Sequence, residues 1–199
     1  MFEDFFMAFL MAFIPLFVAV DAVGVLPIYI SLTEETGKKE KLRVLFVSMV
    51  TAIVISVAFL FLGKLLFGFL GITISDFMIA GGIILFAIAL TDLITQKKMT
   101  RMPGEDFGAV PLGTPLIAGP AVLTTSLILN DQFGTVPTLI AIVVNVFLAG
   151  LIFYLADFVI KIMGQTGTRA MSKVSHLLLA AIAVMLVRKG IILSIGVIP

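Results

Sequence analysis

Pro111-Leu112-Gly113-Thr114-Pro115-Leu116-Ile117-Ala118-Gly119-Pro120 places three prolines and two glycines in ten consecutive residues of an otherwise apolar segment. Proline has no N–H to donate and its ring clashes with the preceding turn, so no continuous helix runs through this stretch. The residues that follow, 121–129, are helix-compatible and apolar apart from Thr124, Thr125 and Ser126. In water this would be a loop. In a bilayer, backbone that leaves the helix must be buried in protein or line a cavity, because lipid cannot hydrogen-bond it. A broken helix at membrane depth is a candidate functional site. The alternative is a proline-kinked span whose neighbours satisfy the freed carbonyls.

The surrounding chain is of membrane type. Of its 199 residues, 61% are hydrophobic and only 13% charged, about half the charged fraction of a typical soluble domain. A net charge of +1 gives no reason to expect nucleic acid or a polybasic lipid tether. Cysteine and tryptophan are absent, which removes disulfides and thiol chemistry and leaves any aromatic belt to Phe, Tyr29 and Tyr154. The first apolar run is preceded by Glu3 and Asp4, not by a basic region, and reads as a retained helix rather than a signal peptide.

A spanning helix needs about 20 apolar residues, and the hydropathy divides into six such segments. The first, 5–32, is interrupted between Val20 and Pro27, and a basic polar stretch at 33–43 follows. The second is expected at 44–66, closed by Gly63, Lys64 and Gly68. The third is expected at 72–94 and carries Gly81-Gly82 for close packing. Residues 95–106 read as an aqueous loop. The fourth span, 109–129, is the broken one, and Asn130, Asp131, Gln132 and Gly134 make a turn after it. The fifth, 136–160, buries Asn145. A polar loop is expected at 164–173 and the sixth span from Val174, with its end left open around Arg188-Lys189-Gly190.

Three spans on each side of a central loop suggest a duplication. Residues 85–90 (LFAIAL) resemble 179–184 (LAAIAV), and each follows a glycine, Gly71 or Gly164, at a similar distance. The interruption of the first span matches in position that of the fourth, and paired interruptions in two halves point to a transporter binding site. A repeat of three spans is an odd number, so the copies must insert with inverted topology. The expected architecture is all-α integral membrane: six transmembrane helices as two inverted three-helix repeats, with broken helices 1 and 4. It forms a single membrane domain, 1–199, of repeat one (1–95), cytoplasmic loop (96–108) and repeat two (109–199). Ten of the thirteen Lys and Arg residues fall in the loops after spans one, three and five. Basic loops stay in the cytoplasm, so both termini are expected outside.

Asp21 is the acidic residue lying well inside an apolar span, beside a break. Such a group faces a bundle interior or a water-filled cavity, where it can serve a proton, a coupling cation or a substrate ammonium. Alternatively, its carboxylate caps the short helix after the break. Pro27 and Pro120 each stand where a new half-helix can start. Facing helix N-termini would make an anion site without arginine. Gly24, Pro115 and Gly119 at the breaks are further candidates for the substrate site, and Thr114, Thr124, Thr125 and Asn145 would add neutral polar contacts. Each hydroxyl can instead bond its own helix backbone. Asp92, Asp157, Lys161 and His176 fall near span ends, with Asp157 and Lys161 at pairing distance along a helix. No phosphate loop, metal-ligand spacing or nucleophile–base set is present, so neither cofactor, metal nor enzyme activity is expected.

The stretch 21–27 (DAVGVLP) resembles the D-P-x-G-x-x-P signature of the MarC family. Residues 111–120 resemble that family's second signature, P-L-A-x-P-L-x-A-G-P-G, and 81–85 (GGIIL) its G-G-x-x-L. The resemblance covers nearly the whole chain. It implies a six-span inner-membrane protein related to LysE-type exporters, moving small solutes, with neutral amino acids the substrate class of some members. Two positions depart from the pattern: Ala22 replaces a proline and Ala121 a glycine. The expectation is a transporter of small neutral amino acids with a midplane site at the two breaks. A cation-selective channel with Asp21 setting selectivity is the alternative. Direction, coupling ion and oligomeric state stay open, a homo-oligomer included.

Overall fold

The computed structural model describes residues 2–33, 36–95 and 108–196, and among these it is all-helical. Helices α1 (Phe2–Val20) and α2 (Ala22–Thr33) are separated by one residue, and α3 (Lys38–Leu70) and α4 (Ile74–Thr95) follow. The irregular segment Gly108–Ile117 leads into α5 (Pro120–Phe133), then α6 (Thr135–Tyr154) and α7 (Ala156–Ser194). Three helical stretches are long and apolar enough to cross a bilayer: Glu3–Leu26, Lys38–Leu70 and Thr135–Phe158. A fourth is made by Gly108–Ile117 and α5, bent by 52°. The expected aqueous loop lies almost wholly at 96–107, outside the described residues.

The outer surface is as apolar as the interior. Phe69 is 86% exposed, Leu65 70% and Phe46 68%, which in water would be an aggregation surface and in lipid is a matched solvent. With no hydrophobic force between helices, contact depends on close backbone approach. The seams are accordingly lined by small residues: Ala12, Ala52, Ala141, Ala149 and Ala183 are fully buried. On the α4–α7 seam a Cβ added to Gly82 would stand 2.8 Å from Ala183 O and 3.0 Å from Val187 N. One on Gly190 would stand 2.9 Å from Ser75 O, so the two helices run antiparallel in near-backbone contact. Thr73 caps α4 reciprocally with Asp76, accepting its N–H at 3.2 Å while the carboxylate accepts the Thr73 N–H at 2.8 Å.

Two expectations are corrected here. Residues 164–173 are helical rather than a loop, within an α7 that runs unbroken from Ala156 to Ser194 and past Arg188-Lys189-Gly190. No proline interrupts that stretch, and a glycine costs a helix only about 1 kcal/mol. Asp157 pairs not with Lys161 but with Lys41 of α3, at 2.6 Å. The pair is tertiary, and helical spacing could not reveal it. The side chains of Asp92 and His176 lie outside those described.

Gly82→Val should force α4 and α7 apart, because the atoms it meets are backbone and cannot turn aside. Overpacking of this kind costs about 1–3 kcal/mol, to be read as a lower melting temperature in detergent. Gly68→Ala, where an added Cβ meets nothing within 4 Å, should leave it unchanged.

Candidate functional site

The first break is a single residue. Asp21 donates its N–H to Phe17 O at 3.2 Å, closing α1, and its own carbonyl accepts the Val25 N–H at 3.0 Å, opening α2. To do both it adopts φ +44°, the left-handed region, which Asp tolerates better than most residues. Its Oδ1 accepts the Gly24 N–H at 3.2 Å, so the carboxylate is the N-cap of α2. Gly24 is needed for this arrangement, since a Cβ there would lie 2.8 Å from the carboxylate carbon.

The expected start of a half-helix at Pro27 is therefore corrected. The helix begins at Ala22, because the aspartate supplies the cap, and Pro27 stands inside α2. The Pro27 side chain lies outside those described. Asp21 is exposed, on the face of α1 and α2 that also carries Ile14, Val18 and Val23. No hydrogen bond joins it to the second break among the described residues.

The second break is larger. Val110 (φ −133°, ψ 127°) and Thr114 (φ −142°, ψ 129°) leave helical geometry. Each precedes a proline, whose Cδ disfavours helical backbone in the residue before it. Ala118 N–H reaches back to Gly113 O at 3.0 Å. Gly119 is then extended (φ −83°, ψ 172°), with no side-chain cap, and Pro120 begins α5 as expected. Leu123 N–H to Gly119 O, 3.0 Å, is the first bond of that helix, so Ala121 and Val122 have N–H groups with no partner within α5.

Glycine is required at 119 because any Cβ would collide with Pro115 O. The broken backbone lies along α3, where a Cβ on Gly113 would stand 2.7 Å from Thr51 Cβ, while Gly81 of α4 receives the Pro120 ring. That last contact, and the role of Thr51, were not visible in the sequence.

The hydroxyls divide. Thr124 bonds Ala121 O at 3.2 Å and Ser126 bonds Leu123 O at 2.7 Å, each on its own helix. Thr114 Oγ1 is buried without a hydrogen-bond partner, as are Ser56 Oγ and Asn145 Oδ1. Asn145, 1% exposed, donates from Nδ2 to Ala141 O at 2.9 Å and across to Phe13 O of α1 at 3.2 Å. It fastens α6 to the first broken span and leaves one acceptor unused. No group of three or more His, Cys, Asp or Glu side chains able to hold a metal is found among the described residues.

Measured along the helices, the two breaks stand at similar distances from the Lys41 end of α3. Tyr29 donates its hydroxyl to Lys41 O at 3.4 Å. Asp21 is eight residues from Tyr29, about 12 Å of helix. Gly113 packs on Thr51, ten residues or about 15 Å along α3 from Lys41. About 15 Å is half of a hydrocarbon core.

Apolar helices that can span a bilayer, one of them broken by prolines in its apolar run, define an integral membrane protein with irregular backbone at depth. The MarC family profile, described as an integral membrane protein family, matches residues 6–195. The chain belongs to the MarC family. A UPF0056 membrane protein of Aquifex aeolicus is 34% identical over 204 residues, covering 95% of this chain and 94% of the relative. Another, from Methanocaldococcus jannaschii, is 32% identical over 197 residues, covering 92% and 86%. The UPF0056 inner membrane protein YhgN of Escherichia coli is 28% identical over 181 residues, covering 88% and 92%. No solved structure matches.

Capping and charge can be separated at Asp21. Asn caps as well as Asp, whereas Ala costs about 0.5–2 kcal/mol. Asp21→Asn should keep the melting temperature of the parent protein and Asp21→Ala should lower it. Equal loss in both would mean that the charge itself holds the fold.

Proposed function

We propose that this protein is a six-span transporter of small zwitterions, neutral amino acids as a class, working by alternating access around the two helix breaks. The observation that carries the reading is that two breaks, at similar distances from the Lys41 end of α3, occupy equivalent places in two halves of the chain. Asp21 and Thr114 are 93 residues apart, as are Pro27 and Pro120, and Gly71 and Gly164. Asp21 and Thr114 are both points where the backbone leaves the helix.

The packing repeats in the same sense: α3 lies along the segment Gly108–Ile117 as α6 lies along α1, and α3 pairs with α6 as α4 pairs with α7. In this reading the spans are α1 with α2, α3, α4, the broken segment with α5, α6, and the part of α7 on α4. The halves are inverted three-helix repeats.

Orientation is supported by two ion pairs. Lys41 meets Asp157 and Lys64 meets Asp131. The two lysines are 23 residues apart on α3, about 34 Å, against a hydrocarbon core of about 30 Å. Each pair joins ends that the Lys and Arg distribution puts on one side. The Lys41 side is cytoplasmic, the termini are outside, and the inner membrane is the site, as the name of YhgN says of that relative.

An exposed carboxylate at the depth of Asp21 must face water or protein, which supports a hydrated path along that face. Its second oxygen is available to a substrate ammonium or coupling cation. The N–H groups of Ala121 and Val122, with the α5 dipole, suit a carboxylate. Thr114 and Asn145 retain polar atoms for a ligand.

Saturable counterflow of a labelled neutral amino acid in proteoliposomes tests the reading; a linear, unsaturable flux would instead favour a cation-selective channel governed by Asp21. The amine left by removing the carboxylate should compete at least ~10-fold worse than the amino acid, equivalent to about 1.4 kcal/mol.

Topology is tested by impermeant thiol reagents. Lys39→Cys and Gln132→Cys, in a chain that has no cysteine, should label from opposite sides of the membrane, Gln132→Cys from outside. Labelling of both from one side would overturn the six-span arrangement.

A further inference from the structure

We infer that the Lys41–Asp157 and Lys64–Asp131 pairs are the two gate latches of the transporter, one for each membrane face. The inference rests on the alternating-access reading above. Both lysines are on α3, in the first half, and the two aspartates flank α6, in the second. Helices α3 and α6 are the pseudo-equivalent pair that faces its counterpart across the two halves. Their antiparallel contact passes through Gly150, where an added Cβ would lie 2.8 Å from Met49 Cε. The seam is thus tight in its middle and tied by one ion pair at either end.

The repeat register makes the two ties equivalent. Lys64 and Asp157 are 93 residues apart, the same spacing that relates Pro27 to Pro120. Exchanging the halves carries Asp157 onto Lys64 and Lys41 onto position 134, one helical turn from Asp131. Each tie therefore maps onto the other with its charges interchanged to within three residues, Asp131 standing near the end of α5 and Gly134 at the α5–α6 junction. Chance surface pairs have no reason to obey the internal symmetry of the fold. Tilting α3 against α6 about the Met49–Gly150 contact, with the α4–α7 seam held fixed, opens one end of the seam while the other stays closed.

The strength of the ties fits this use. The Lys41 and Asp157 side chains are 17% and 52% exposed, and those of Lys64 and Asp131 are 58% and 55% exposed. The Lys64–Asp131 pair, exposed on both sides, contributes little to stability and can break at small cost; Lys41 is largely buried, so its pair is the firmer of the two. Here both are made, and both ends of the seam are held.

The test uses a reporter thiol at mid-depth, Thr51→Cys, on α3 against the second break, with an impermeant thiol reagent applied to membrane vesicles of either orientation. Asp131→Asn should raise the labelling rate from the Lys64 side at least threefold and leave or lower it from the Lys41 side. Asp157→Asn should do the reverse. The double variant Lys64→Asp/Asp131→Lys should return labelling to that of the reporter alone. The inference is overturned if both single variants shift labelling in the same direction, if neither shifts it, or if the exchanged pair behaves like the broken one. Labelling needs no substrate, so absence of counterflow with mirror-image labelling would count against the transport reading alone.

Discussion

The structure depends on one constraint: a bilayer offers no hydrogen bonds to backbone. Each unsatisfied N–H or C=O at depth costs several kcal/mol, so each place where this chain leaves the helix needs its own remedy. At Asp21 a single residue ends one helix, begins the next and places its carboxylate on the Gly24 N–H. Between Gly108 and Pro120 the remedy is proximity. Glycines at 108, 113 and 119 bring the irregular backbone against Val44, Thr51 and its own Pro115 carbonyl, which covers that side of the break while Val110 stays 64% exposed. The same glycines that permit the break enforce its burial.

The difference between the breaks follows from one position. Pro115 stands after Thr114, and at the equivalent place after Asp21 there is Ala22. A following proline drives the residue before it into extended backbone, which Thr114 adopts; the 52° bend of the axis falls beyond it, between Ile117 and Pro120, where Gly119 is extended. With alanine there, Asp21 faces no such restriction, uses one left-handed residue, and the span runs on from Glu3 to Leu26. In the proposed repeat, the two breaks differ by one side chain that acts on its predecessor's backbone.

Much of this was legible in sequence because the signals were local. Hydropathy placed α3 and α4 within a few residues of their observed cores, and the Gly-Pro pair at 119–120 fixed the start of α5. The capping role of Asp21 was one of two readings that its position allowed. What could not be read was tertiary. The exchange of Lys161 for Lys41 as partner of Asp157 and the seat of Pro120 on Gly81 both depend on elements distant in the chain, whereas the polar composition of 164–173 hid a helix that no proline interrupts. The start of α2 was misplaced for another reason: proline is a strong initiation signal, but a side-chain cap six residues earlier overrode it.

The distribution of close and loose contacts sets what can move. Along α4 and α7, Gly82 and Gly190 pack directly on the backbone and on the Val187 and Ile79 side chains of the facing helix, and an interface of that kind has few alternative arrangements. Between α3 and α6 the middle is tight, and the ends are held by charged side chains long enough to part without repacking. Beside one end of that seam, Phe153 of α6 stacks on Tyr29 of α2, ring centroids 5.0 Å apart. Because lipid supplies no hydrophobic drive to close a seam, its closed and open forms differ mainly in these few polar and aromatic contacts. Under the alternating-access proposal, a small free-energy difference between them is the natural outcome, and a solute bound at the breaks would decide which is populated.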